Sequence, residues 1–171
     1  MPAFKIAVIG GDGIGPEVID QAVRVLEVVT KKANASFTWN KLPWSAINYE
    51  KTGVMVPDDG WDLLKKHDAI FLGAVGHPSV SDHIPVHGLL LPMRRMFDQY
   101  VNLRPSYLYE GVDSPLRDKA PGSIDILFFR ENTEGEYSRL GGRSGSGDDE
   151  CVIQTAMFTR RGTDRILRYA F

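Results

Sequence analysis

Three arginines and a tyrosine carry most of the chemical information in this chain. Arg94 falls in a helical pattern, Arg104 lies in a strand-like segment shortly after it, and Arg130 ends an apolar run from Ile124 to Phe129. A guanidinium presents a planar fork that matches a carboxylate, so arginines at element ends around one cleft would clamp a dicarboxylate by paired, charge-assisted hydrogen bonds. Taken singly, each reads as a surface or ion-paired side chain. The run Arg130-Glu-Asn-Thr-Glu-Gly-Glu-Tyr137 shifts that balance. A polar, charged stretch straight after a buried strand is where α/β enzymes place their chemistry.

Other clusters are weaker. Glycines 10, 11, 13 and 15 follow an apolar run and precede a helical pattern, but the dinucleotide fingerprint GxGxxG fits neither from Gly11, where position 16 is Pro, nor from Gly13, where position 18 is Val. The acidic residue expected at the end of the second strand is also missing, since that segment ends in Asn40 and Lys41. Three readings stay open for this loop: a dinucleotide site, a tight turn with no ligand, or a turn that borders a different kind of active site. His77, His83 and His87 are spaced like metal ligands, yet Pro85 interrupts a shared helix face and only Asp82 stands near to complete a set. They read as loop histidines. Asp58-Asp59 reads as a helix cap, and Asp148-Asp149-Glu150 as a solvated loop edge.

The elements that must position these residues alternate between strand and helix. Phe4 to Ile9 is a short apolar run, and Pro16 with Glu17 opens a helix in the position where a missing N–H costs nothing and a negative charge meets the positive helix start. Phe37 and Trp39 alternate with polar neighbours in a second strand from Ser36 to Leu42. Pro57-Asp58-Asp59 starts a helix through Lys66, and Ala69 to Val75 suits a buried parallel strand. A Gly, Pro, Ser and His loop then leads to a helical stretch from about Gly88 to Gln99. Strands follow at Val101 to Leu108, Ile124 to Phe129 and Cys151 to Phe158. The Gly-rich polar excursion before the last of these looks like a hairpin tip. Thr163-Asp164 is read as the cap of a final helix that runs to Phe171 without a stop signal, as though the chain were cut inside it. The pattern predicts an α/β layered fold with a mainly parallel sheet. It divides into residues 1–99, the first part of a large α/β domain, and 100–171, the first part of a smaller one with a hairpin arm at about 136–156.

Composition narrows the function classes. The 171 residues are 43% hydrophobic and 25% charged, the balance of an ordinary globular protein. A net charge of −2 offers no cationic surface for nucleic acid or anionic lipid. No apolar stretch is long enough for a membrane span, and the start MPAFKIAVIGG lacks the pattern of a secretory leader. The single cysteine, Cys151, excludes an intrachain disulfide framework and reads as a small core residue in a reducing compartment. A cytoplasmic protein is expected, with no nucleic-acid or membrane partner.

Three motifs together, GDGIGPE at 11–17, NLRP at 102–105 and RENTEGEYS at 130–138, resemble the β-decarboxylating dehydrogenases. This is the family of isocitrate, 3-isopropylmalate, D-malate and tartrate dehydrogenases. DQYVNLRP, RENTEGEYSRLGGR and FTRRGTDRILRYAF look most like the tartrate/D-malate branch, and the isopropylmalate-type motif RELTGGIYFG is absent. The resemblance implies the isocitrate/isopropylmalate dehydrogenase fold, truncated to its N-terminal half. It implies oxidation of a (2R)-hydroxy dicarboxylic acid by NAD with Mg²⁺ or Mn²⁺, and decarboxylation to follow.

Carried over by motif, Arg94, Arg104 and Arg130 would hold the substrate carboxylates, and Leu90 and Leu91 would approach its variable substituent. Tyr137 would be the catalytic residue that protonates the enol carbon. Ile14, Gly73, Ala74, Val75 and Gly76 would border the cofactor, at a site other than a GxGxxG loop. No metal ligand is expected within this chain. The resemblance assigns the base lysine, the metal aspartates and the adenosine loop to a second half, and it implies a homodimer joined through the hairpin arm. The alternatives are a 3-isopropylmalate or isocitrate-type dehydrogenase, or a non-catalytic remnant that only binds dicarboxylates or other chains.

Overall fold

A computed structural model describes all of residues 1–171. The chain forms two compact units, Met1–Pro92 and Met93–Phe171, so the division falls ahead of the 99/100 boundary read from the sequence.

The first unit is built on a three-stranded parallel sheet in the order β2-β1-β3, from β1 (Ala3–Gly11), β2 (Ser36–Leu42) and β3 (Ala69–Ala74). β1 lies in the middle and is the most apolar of the three, and its residues Ile6, Ala7, Val8 and Ile9 are all buried. Alternation in β2 puts Phe37 and Trp39 on one face, where they pack with Ile6, Val8, Phe71 and Ile19. Their rings meet edge to face, with 5.2 Å between centroids, the arrangement favoured by the aromatic quadrupole. Ile19 belongs to α1 (Gly15–Lys32), which Pro16 opens in its first turn as the sequence requires. The helices α2 (Ala46–Thr52) and α3 (Gly60–Leu64) follow β2. α3 is shorter than the segment to Lys66 read from the sequence, and Asp59 precedes it without a side-chain capping bond.

One buried carboxylate ties this unit together. Asp12, in the turn between β1 and α1, is 4% exposed. Its carboxylate accepts hydrogen bonds from the amides of Ala46 (2.8 Å), Ile47 (3.0 Å) and Gly76 (3.0 Å). Ala46 and Ile47 form the first turn of α2, where unpaired amides and the helix dipole favour an anion. The Asp12 amide in turn donates to the Ala74 carbonyl at 2.6 Å. Gly11 makes that approach possible, because at its φ of +75° a side chain would run into the Ala74 carbonyl.

After β3 the chain enters α4 (His83–Pro85), a π-helical turn (Val86–Leu90) and α5 (Leu91–Met96). The helical region thus starts earlier and ends earlier than the expected 88–99. The second unit holds two antiparallel pairs. β4 (Val101–Tyr107) pairs with β5 (Asp125–Glu131), and β6 (Gly135–Ser144) pairs with β7 (Cys151–Met157). The parallel sheet is therefore confined to the first unit. β6 and β7 form the hairpin around 136–156, and every residue of β7 is exposed. Cys151 is exposed with it, which corrects its reading as a core residue. An apolar strand is buried only where a second layer covers it. The final helix, α6 (Arg160–Ala170), starts earlier than expected, since its cap is Thr159, whose hydroxyl accepts from the Gly162 amide, and not Thr163-Asp164. No helix is long and apolar enough to cross a membrane.

Burial works against the Asp12 charge, but the amides of Ile47, Ala46 and Gly76 and the Ser45 hydroxyl outweigh it and hold the carboxyl below its usual range. A carboxyl lowered on folding adds stability above its unfolded value of about 3.9, and loses it as pH falls through the folded value. Asp12→Asn is expected to flatten the acid limb of the stability curve measured by urea denaturation below about pH 4. Asp12→Ala, which leaves buried amides without an acceptor, is expected to cost about 3 kcal/mol at pH 7.

Candidate active site

The site of the second unit begins with how its helix ends. α5 carries Arg94 and Arg95, and Asp98 stops the helix in a left-handed conformation with φ of +43°. The Gln99 amide then reaches back to the Arg94 carbonyl at 2.8 Å, and the Asp98 amide to the Arg95 carbonyl at 3.2 Å. This is the pattern that satisfies the last carbonyls of a helix. It fixes the backbone from which both arginines project.

Arg94 and Arg130 both lie against the ring of Tyr137. Their guanidinium carbons lie 5.5 and 5.7 Å from its centroid, within cation–π range. Arg130 Nη2 donates to the Tyr137 Oη at 3.3 Å and to Asn132 Oδ1 at 3.0 Å. Arg95 Nη2 donates to the Tyr137 carbonyl at 2.6 Å, so one helix holds the backbone of Tyr137 and lines its ring. The Nε of Arg130 is buried with no partner.

Arg104 sits apart from the ring but on the same face of the β4–β5 ladder as Arg130. Asn102 pairs with Arg130 and Arg104 with Phe128, so the two arginines are diagonal neighbours, about 7–8 Å apart by ladder geometry. They share a shallow cavity of about 550 Å³ lined also by Ser106 and Phe128. The structure therefore brings Arg94, Arg130 and Tyr137 together and sets Arg104 beside Arg130.

Glu131, Asn132 and Glu134 act in this turn, and the sequence reading gave them no role. The Glu131 carboxylate accepts from the Thr133 amide (2.8 Å), the Thr133 hydroxyl (2.6 Å) and the Glu134 amide (2.7 Å). Burial raises its pKa, but the Thr133 hydroxyl, the two amides and Arg165 together hold it below the usual range. Buried Asn132 donates from its backbone to the Tyr100 carbonyl and from its side chain to the Gln99 carbonyl, at 3.0 and 3.3 Å. Glu134 accepts from the Thr159 amide and hydroxyl at 2.8 and 2.6 Å, at the start of α6. An Asx- or Glx-type acceptor beside Thr and consecutive amides is the available sequence signal for such a turn.

The remaining candidate residues belong to the first unit. Leu90 is half-buried in the π-helical turn, and Leu91 is a core residue at 4% exposure. Gly73 and Ala74 end β3, where Gly73 packs against the Gly10 carbonyl and the Ala74 carbonyl receives the Asp12 amide. Ile14 is 64% exposed, Val75 is half-buried, and the space where a Gly76 side chain would stand is open. Backbone and aliphatic side chains line this edge. No group of three or more His, Cys, Asp or Glu side chains converges anywhere in the chain. The residues present do not fit a divalent-cation site on their own.

The family model described as isocitrate/isopropylmalate dehydrogenase matches residues 5–171. The chain belongs to that family. D-malate dehydrogenase [decarboxylating] of Escherichia coli (strain K12) is 51% identical over 174 residues. Tartrate dehydrogenase/decarboxylase of Pseudomonas putida is 49% identical over 176. Each comparison covers 100% of this chain but 48% of the relative, so the chain spans about half the length of the curated relatives it matches. The crystal structure of isocitrate dehydrogenase from Methylococcus capsulatus superposes with a TM-score of 0.79 at 28% identity, covering 98% of this chain and 46% of that one. The family, and the D-malate and tartrate dehydrogenases among its relatives, agree with the resemblance carried by the three motifs, and the α/β class agrees with the fold.

Gly162 tests the turn. A side chain there would run into the Glu134 carboxylate, which Thr159 holds in place. Gly162→Ala is expected to lower the melting temperature, although Ala would otherwise favour the α6 helix by about 1 kcal/mol. A rise in melting temperature would contradict the rigidity of the Glu134–Thr159 contact.

Proposed function

We propose that this chain supplies the carboxylate clamp and proton donor of an NAD- and divalent-metal-dependent dehydrogenase that oxidises, and decarboxylates, a (2R)-hydroxy dicarboxylic acid such as D-malate or tartrate. The observation that carries this reading is the placement of the Arg94 and Arg130 guanidinium groups within about 6 Å of the Tyr137 ring, at 5.5 and 5.7 Å, with Arg130 donating to its hydroxyl. Two cations beside a phenol create a site that attracts carboxylates and, at the same position, holds a proton donor. The relatives named as D-malate and tartrate dehydrogenases support the substrate class.

In this reading Arg130 and Arg104, side by side on one sheet face, bind carboxylate oxygens through their guanidinium forks, and Arg94 closes the clamp. The Tyr137 hydroxyl delivers its proton to carbon after the carboxylate departs, and Arg130 stabilises the phenolate left behind. NAD, when bound, accepts the hydride. Ile14, Val75 and Gly76 are the residues of this chain that would lie against it, with Gly73 and Ala74 supporting them. No step is assigned to a metal through residues of this chain, which lack a ligand set for one.

The same reading includes a homodimer. The exposed β6–β7 hairpin presents Val152 and Ile153 at 64% and 60% exposure, apolar side chains that a second copy would cover. A location in the cytoplasm fits an enzyme that draws on a pool of NAD.

Kinetics of the intact enzyme test the clamp. Arg104→Ala is expected to lower kcat/KM for the dicarboxylate at least 10²-fold, since a lost charge-assisted contact costs about 3 kcal/mol. Tyr137→Phe is expected to lower kcat with little change in KM, because the ring and its cation contacts survive while the proton donor is lost. A loss under about threefold for Arg104→Ala would reject its clamp role.

A further inference from the structure

The end of the Arg94 helix and the turn after Arg130 meet at one side chain outside the clamp. Arg165, on α6, is 19% exposed and makes four short contacts with three residues. Its Nη1 donates to both carboxylate oxygens of Asp98, at 2.8 and 3.1 Å. Its Nη2 donates to Thr133 Oγ1 at 2.6 Å and to Glu131 Oε1 at 3.4 Å. Its guanidinium also stacks on the Tyr100 ring, 4.4 Å from the centroid.

The three residues it binds are those that set the clamp. Asp98 is the left-handed residue that ends the helix bearing Arg94 and Arg95. An aspartate tolerates that conformation at some cost, and the two-oxygen bond to Arg165 holds it there. Glu131 follows Arg130 directly and, with Thr133, shapes the turn leading to Tyr137. Tyr100 passes its carbonyl to the Asn132 amide, and Asn132 receives Arg130. One guanidinium thus joins the end of the Arg94 helix to the turn between Arg130 and Tyr137. Arg168, on the same helix, is exposed and makes no side-chain bond, so helix position alone does not give this role.

We infer that Arg165 is the positioning residue of the carboxylate clamp, fixing the separation of Arg94 from Arg130 and Tyr137 through Asp98, Glu131 and Thr133 without touching the substrate. This rests on the proposed clamp function. The geometry demands arginine: lysine carries one charged atom and cannot bind Asp98 on one edge and Thr133 with Glu131 on the other.

Two readouts test it in the intact enzyme. In Arg165→Met, the dicarboxylate KM is expected to rise about tenfold and kcat to fall, since small misplacements of positioned groups can cost up to about 10²-fold. The KM for NAD is expected to stay within about twofold, and Arg165→Lys to fall between wild type and Arg165→Met. Independently of activity, with ¹³C-labelled tyrosine and the Tyr137 signal identified through Tyr137→Phe, that signal is expected to move in both Arg165 variants and to stay in place in Arg168→Ala. Should Arg165→Met fail to fold, Arg165→Lys carries both readouts. An unmoved Tyr137 signal in a folded Arg165 variant would overturn the inference. So would an unchanged dicarboxylate KM with only the melting temperature lowered, provided Arg130→Ala raises that KM. If Arg130→Ala leaves it unchanged, the clamp function fails, and the Tyr137 signal alone decides whether Arg165 sets the geometry.

Discussion

An amide N–H in a turn has no neighbouring strand to receive it, and this chain meets that need with carboxylates, one buried and two half-buried. In the first unit Asp12 collects three amides from two segments distant in sequence. In the second, Glu131 collects two amides and a hydroxyl, and Glu134 collects the amide and hydroxyl of Thr159. A hydrogen bond to a charged acceptor contributes about 1.5–3 kcal/mol, against about 1 for a neutral pair. The charge has a further consequence, because a carboxylate aligned on several donors fixes their directions as well as their distances. The irregular segments are thereby held in place, and they lead out of the strand that carries Arg130, into the one that carries Tyr137, and along the edge at Gly76.

Strands, in contrast, supply direction more than rigidity. The β4–β5 ladder sets Arg104 and Arg130 on one face through its two-residue period, which needs no side-chain contact at all. The sheet of the first unit does the same for the turn after β1, since parallel pairing with β3 brings Gly11 beside Ala74. Regular structure places the chemistry within a few ångströms, and the carboxylate bonds complete the placement.

This division explains what the sequence disclosed. β1, β2 and β3 were legible because their apolar runs and alternation report burial directly, and Pro16 marked the start of α1. The arginines and Tyr137 were legible as residue types, and the motifs around them led to the family. The role of Asp12 was hidden, because its partners Ala46, Ile47 and Gly76 offer only backbone, which leaves no mark in the sequence. Glu131 and Arg165 were hidden for a related reason: each reads as a solvent-facing charge until the fold brings them within reach of one another. Cys151 failed in the opposite direction. Its strand has the composition of a buried one, yet composition records what a surface prefers to meet and not whether this unit provides it.

The exposed hairpin also bears on motion. Its strands pair only with each other, and a two-stranded ribbon is marginal in water by itself. The β6 and β7 amides therefore open at low free energy and exchange with solvent far sooner than those of β1, which lies between two partners and under a helix. Tyr137 stands near the root of β6, where the ladder shifts register between Gly135 and Leu140 and the two strands lose their regular pairing. Tyr137 thus lies in the irregular stretch itself, where Arg94, Arg95 and Arg130, and not strand pairing, hold it. Whatever molecule covers the ribbon would quiet its exchange, and the protection pattern of these amides is a direct record of when it is covered.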